Sequence, residues 1–265
     1  MNMSHHPLDD RLPGMLRSGR RLRGVFNSLP SPAIVEMCGY AGFDFVIIDN
    51  EHGSAGFETT ENMLRAARAS GIVPVVRCLR HDLARVLDMG ASAVQIPMVA
   101  SAAEARDLVQ QVRYPRDGRR GSAFSPRAAG YGAYPGVTHT DRSNAGVALI
   151  VMIETPEAVL QAGEIAAVSG VDAVFVGPND LSHAMGFGSD WKSTPVMAEI
   201  ERALLAISSA GNCGGVIALT PEDEERFGAW GARYFAGVTT GLITRAFQQA
   251  SAAGGRLDAA GELTY

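Results

Sequence analysis

The chain has 265 residues, 46% hydrophobic and 19% charged, with 23 basic against 28 acidic side chains and a net charge of −5. That balance excludes a general nucleic-acid binder, which needs a basic excess, and a disordered chain, which lacks apolar residues for a core. The longest clean apolar run, residues 147–153, falls far short of the roughly 20 residues that a bilayer-spanning helix needs.

Taken in chain order, short apolar runs alternate with helical patterns. Strand 22–27 precedes helix 31–41, strand 44–49 helix 57–70, strand 73–78 helix 81–89, and strand 93–97 helix 101–113. Residues 114–146 then break the rhythm with six glycines and three prolines, which reads as a long loop, functional or disordered. The alternation resumes with strand 147–153 and helix 156–168, strand 172–177 and helix 195–210, strand 214–219 and helix 221–230, and strand 234–238 and helix 239–253. Ser31-Pro32, Thr155-Pro156, Thr194-Pro195 and Thr220-Pro221 each place proline after a capping residue, a helix start signal. Near-continuous apolar strands are those buried on both faces of a parallel sheet. Eight such units predict an α/β fold, a (β/α)8 TIM barrel, as one domain over 1–265. The competing doubly wound sheet lacks its Gly-x-Gly-x-x-Gly turn after the first strand.

Two residue counts narrow the chemistry. Cys38, Cys78 and Cys213 are odd in number and widely spaced, which fits no disulfide framework or zinc knuckle and points to a reducing cytoplasm. The N-terminus mixes His5, His6, Asp9, Asp10 and Arg11 without the apolar segment of a signal peptide. Lys192 is the sole lysine and sits among Asp190, Ser193 and Pro195. A Schiff-base lysine must be desolvated, so imine catalysis and pyridoxal phosphate are not expected.

Barrel enzymes work at the C-terminal ends of their strands. There the chain places Asp49-Asn50-Glu51-His52, Arg77, Glu154 and Gly177-Pro178-Asn179-Asp180. Glu154 and Asp180 are hard oxygen donors suited to Mg²⁺ or Mn²⁺. Co²⁺ and Zn²⁺ are the alternatives. His52 brings an imidazole, the side-chain type best suited to serve as a base at neutral pH. Arg77 offers a permanent planar cation for an enolate or carboxylate oxygen. Together these groups suit enolisation of a 2-oxo acid. Each also has a bland reading: Asp180 as a helix cap, His52 with Arg77 as a structural pair. Arg113, Arg116, Arg119 and Arg120 are either a solvated face or a cover for an anionic ligand. There is no Gly-x-Ser-x-Gly elbow, Walker loop or His-Glu-x-x-His motif.

At Gly39-Tyr40-Ala41-Gly42-Phe43-Asp44, Ile48-Asp49-Asn50-Glu51-His52, Pro74-Val75-Val76-Arg77, Ile96-Pro97-Met98-Val99, Ile153-Glu154-Thr155 and Val176-Gly177-Pro178-Asn179-Asp180-Leu181-Ser182, the chain resembles a known group. It is similar to the metal-dependent class II 2-oxo-acid aldolases of the HpcH/HpaI aldolase/citrate lyase family, from about Leu16 to Gln248. The resemblance implies a barrel assembled as a homohexamer, a trimer of dimers, with C-terminal helices such as 239–253 exchanged between subunits. It also implies His52 as base, Arg77 at the enolate oxygen, Glu154 and Asp180 as metal ligands, and the Gly177-Pro178-Asn179 backbone on the substrate carboxylate. Asp88 matches an aspartate that pairs with the histidine, yet it ends the third helix, which a regular barrel puts on the opposite face. Two substrate-binding positions depart from the family pattern: Met152 stands where glutamine is usual, and Phe26 where tryptophan is frequent.

The function implied is reversible cleavage of a 4-hydroxy-2-oxo acid to pyruvate, or an analogue such as hydroxypyruvate, and an aldehyde through a metal-stabilised enolate. The partners expected are therefore small molecules and other copies of the chain, with no nucleic acid and no membrane. A CoA-thioester lyase or decarboxylase using the same intermediate is the alternative within enzymes, and the arginines at 113–120 suit CoA phosphates. A non-catalytic binding or scaffold barrel is the alternative of another class. Retention of the base, the arginine and both carboxylates weighs against it.

Overall fold

The structure is a computed structural model and describes residues 6–254. Eight parallel strands close into a barrel in chain order. They are β1 (Leu22–Asn27), β2 (Phe45–Asp49), β3 (Val73–Arg77), β4 (Ala93–Ile96), β5 (Ala148–Ile153), β6 (Ala173–Val176), β7 (Cys213–Ile217) and β8 (Ala232–Val238). Successive side chains point to opposite faces, so each strand feeds two cores. Phe45 and Ile47, Val73 and Val75, Ile150 and Met152 fill the lumen. Val46 and Ile48, Val76, Val151 and Ile153 pack outward against the helices.

The lumen is filled by aromatic rings. Phe45 stacks on Tyr234 with centroids 4.1 Å apart, and Phe175 meets Tyr234 and Phe26 edge-on at 6.0 and 5.6 Å. Gly24 is required here, because a Cβ would lie 2.3 Å from the Phe45 ring. Beneath this column Leu12 and Leu16 join the lumen core. They come from α1 (Leu12–Arg17), a short helix that the periodicity did not reveal.

The outer helices begin with α2 (Pro32–Tyr40), α3 (Phe57–Ser70), α4 (Leu83–Asp88) and α5 (Ala102–Val112). The segment expected as a loop, 114–146, departs from that reading. It holds a 3-10 turn at Arg127–Gly132 and a helix, α6 (Val137–Gly146). The helix expected over 156–168 divides at Gln161 into α7 (Pro156–Leu160) and α8 (Ala162–Ala166). Next come α9 (Pro178–Ala184), a short helix where the sequence pattern predicts none, and α10 (Thr194–Ser209), α11 (Pro221–Ala229) and α12 (Thr239–Gly254). Thr155 and Thr220 cap α7 and α11 through their hydroxyls. Thr194 instead opens α10, with Ser193 as its cap residue. Among the described residues, no helix is long and apolar enough to cross a membrane.

Candidate active site

Alternation along each strand decides which strand-end residues meet. Phe26, Asp49, Arg77, Met152 and Gly177 continue the lumen-facing series, and Glu154 follows Met152 by two. With His52, Pro178, Asn179 and Asp180 they line one cavity of about 500 Å³ at the C-terminal mouth. A pocket of this size suits a small ligand.

The buried charge is organised around Arg77, which is 8% exposed. Asp49 and Arg77 are register partners across β2 and β3. The guanidinium donates from Nε and Nη2 to the two Asp49 oxygens, at 2.9 and 2.6 Å, and Nη1 lies 3.2 Å from Glu51. Its cationic face rests on the Phe26 ring at 4.8 Å. Asp49 also accepts backbone N–H bonds from Glu51 and His52, which shapes the turn that presents His52. Burial pushes the Asp49 carboxyl up, but Arg77 and these N–H groups outweigh it and hold it below its ordinary value. The structural pairing of His52 with Arg77 is thereby replaced: Arg77 pairs with Asp49. The His52 ring is exposed to the cavity and has no hydrogen bond among the described residues.

Glu154 is in the opposite electrostatic state. It is 3% exposed, and burial, with Asp180 and Glu51 nearby, pushes its pKa from 4.5 to about 7 despite an N–H bond from Met98 and the charge of Arg77. That bond, to Oε2, is 2.7 Å long. Gly177 makes room for it, since a Cβ there would lie 2.7 Å from Oε1. Asp180 sits in the first turn of α9, whose start has no side-chain cap, so capping does not account for it. Two carboxylates short of positive charge fit a divalent cation. Among the described residues no group of three or more His, Cys, Asp or Glu side chains is placed to hold a metal ion by itself.

The sequence profile of the HpcH/HpaI aldolase/citrate lyase family matches residues 22–246. The chain belongs to that family. It is 36% identical over 236 residues to a hydroxypyruvate/pyruvate aldolase of Delftia acidovorans, covering 87% of each chain. It is likewise 36% identical over 236 residues to a 4-hydroxy-2-oxo-heptane-1,7-dioate aldolase of Salmonella arizonae, covering 87% of this chain and 89% of the relative. Among solved structures, a HpcH/HpaI aldolase/citrate lyase family protein from Burkholderia cenocepacia matches with a TM-score of 0.88 at 31% identity, over 92% of this chain and 99% of that one. This family member is a carbon–carbon lyase by class.

Asp88 is the one candidate that lies elsewhere. It ends α4, bonds Arg120 at 3.0 Å and lines a separate cavity with Phe57, Arg85 and Tyr131. The arginine run does not cover the mouth either. Arg113 pairs with Asp172, Arg116 with Asp141, Arg119 with Asp107 and Arg120 with Asp88. Lys192 is bound to Asp223 at 2.8 Å, outside the lining of the mouth.

Sequence reasoning missed Asp49 as the partner of Arg77. The signal was present, because both residues end adjacent strands on the lumen-facing parity. It also missed Ser28, His183 and Ser189, which complete the polar wall of the mouth, and the apolar wall formed by Phe175, Ile217 and Val238.

Proposed function

We propose that this family member reversibly cleaves a 4-hydroxy-2-oxo acid to pyruvate, or an analogue such as hydroxypyruvate, and an aldehyde. The observation that carries the reading is Glu154, a buried carboxylate raised to about 7 in one cavity with Asp180, Arg77 and His52. Glu154 and Asp180 would hold a divalent cation, Mg²⁺ or Mn²⁺ by donor hardness. When bound, it supplies Lewis-acid polarisation of the 2-oxo acid.

In the cleavage direction His52 takes the C4 hydroxyl proton as the C3–C4 bond breaks, then returns a proton to C3 of the departing enolate. Arg77, fixed by Asp49 and Phe26, faces the oxygen on which negative charge develops. The Gly177-Pro178-Asn179 backbone receives the substrate carboxylate, and Phe26 and Met152 bound the donor. The arginines suited to CoA phosphates are paired away from the mouth, which favours the aldolase over the CoA lyase.

Exposed Leu242 and Phe247 on α12 support a helix exchanged between subunits of a homohexamer. Asp88 would then meet His52 only across a subunit boundary; without such an exchange its bond to Arg120 makes it structural. Three free, buried cysteines fit a reducing cytoplasm. The test is exchange of the pyruvate methyl protons in D₂O with Mn²⁺. EDTA should abolish it, and His52→Ala should slow it by about 10² to 10⁴ while still binding Mn²⁺. Unchanged exchange in His52→Ala would overturn the base assignment.

A further inference from the structure

The wall of the mouth is divided by charge. Among the described residues lining it there is one guanidinium, Arg77, and no lysine. Arg77 is already bound to Asp49 and faces Glu51. Asp49, Glu154 and Asp180 line the same wall, and Glu51 lies behind them, 3.2 Å from Arg77, so a divalent cation and Arg77 leave no surplus positive charge once a 2-oxo acid is seated. An acceptor aldehyde bearing its own carboxylate would meet unbalanced negative charge there, a repulsion that disfavours binding.

What the wall offers past Asp180 is hydrogen-bonding side chains without arginine or lysine. His183 stands three residues after Asp180 on α9, and Ser189 lies on the segment that follows; both are exposed and line the same cavity. At a rise of about 1.5 Å per residue, His183 lies roughly 4.5 Å further along the helix axis than Asp180, and residues so spaced share a helix face. Neither side chain has a hydrogen-bond partner among the described residues.

We propose that His183, with Ser189, is the specificity-determining element for the acceptor, and that it selects a short, uncharged hydroxyaldehyde over a carboxylated one. The inference rests on the aldolase reading above. His183 acts on the half of the substrate that leaves as aldehyde, so its loss spares the pyruvate half.

The experiment compares glyceraldehyde, propanal and succinic semialdehyde as acceptors for pyruvate with Mn²⁺, in wild type, His183→Ala, His183→Gln and His183→Arg. Pyruvate methyl exchange in D₂O is followed alongside. Wild type should favour glyceraldehyde over succinic semialdehyde in kcat/KM. His183→Ala should raise the glyceraldehyde KM about tenfold, the scale of one lost hydrogen bond, with kcat, the propanal KM and pyruvate exchange unchanged. His183→Gln should recover most of the loss, and His183→Arg should improve succinic semialdehyde. A wild type that prefers succinic semialdehyde would overturn the proposal. Equal losses for glyceraldehyde and propanal in His183→Ala, or no loss for either, would do the same. Absence of pyruvate exchange in wild type would instead remove the aldolase reading itself.

Discussion

Replacing Glu154 with glutamine tests the residue whose charge is least compensated. Burial first, then Asp180 and Glu51, raise its carboxyl from 4.5 to about 7. An acid whose pKa is raised by folding contributes stability that is fully present below about 4.5. It is lost as pH rises, until the folded carboxyl also ionises near 7. At about 1.4 kcal/mol per tenfold change in proton affinity, the loss approaches 3 kcal/mol by about pH 8. Cation-free Glu154→Gln is neutral throughout and escapes it, and its amide oxygen can still accept the Met98 N–H. In a chain of this size about 1 kcal/mol moves Tm by about 2–4 °C. The variant in EDTA should therefore melt roughly 6–12 °C above wild type at about pH 8, with the gap closing toward about pH 4.5. Excess Mn²⁺ should reverse the order, because binding stabilises only the protein that keeps both ligands. Calorimetric scans of both proteins across this pH range, with EDTA and with Mn²⁺, provide the check. A gap independent of pH, or a variant less stable than wild type at about pH 8 in EDTA, would refute the argument.

Two further outcomes follow from the buried groups around this site and beneath it. Asp49→Ala removes the carboxylate that holds Arg77; breaking a buried pair from one side costs about 3–5 kcal/mol, so the urea midpoint should fall sharply, and a midpoint like wild type would mean Glu51 alone suffices. His6, 4% exposed, is lowered to about 4, by burial above all, and His139 is also lowered by burial. Both must stay neutral where they pack, so their contribution is present above about 6.5 and is lost as pH falls toward 4. Hydrogen exchange over residues 6–10 should accelerate across that window, and protection unchanged down to about pH 4.5 would contradict it.

The barrel was legible because a strand buried on both faces has to be apolar nearly throughout, which marks eight runs without any knowledge of their neighbours. Strand ends were legible to within a few residues, and the larger errors have local causes. β7 pairs with β8 through a register shift at Gly214 and Gly215, and glycines there interrupt the apolar signal. The helices α1 and α9 are too short to show a period. The lining of the candidate site was legible where a charged residue coincides with a strand end, as at Arg77 and Glu154.

What sequence order does not carry is which strand-end residue faces which. Asp49 and His52 are three residues apart, and the sequence reading weighs only His52 as a partner of Arg77. The ladder decides between them: Asp49 and Arg77 occupy partnered positions on adjacent strands, so the carboxylate is delivered to the guanidinium by the backbone itself. His52, beyond the end of β2, is set free by the same turn whose N–H groups Asp49 accepts. One aspartate therefore anchors the cation and shapes the loop that leaves the imidazole unpaired. The unpaired imidazole at the mouth is thus a consequence of barrel register, and substitution at Asp49 should disturb His52 and Arg77 together, where substitution at either of them should leave the other in place.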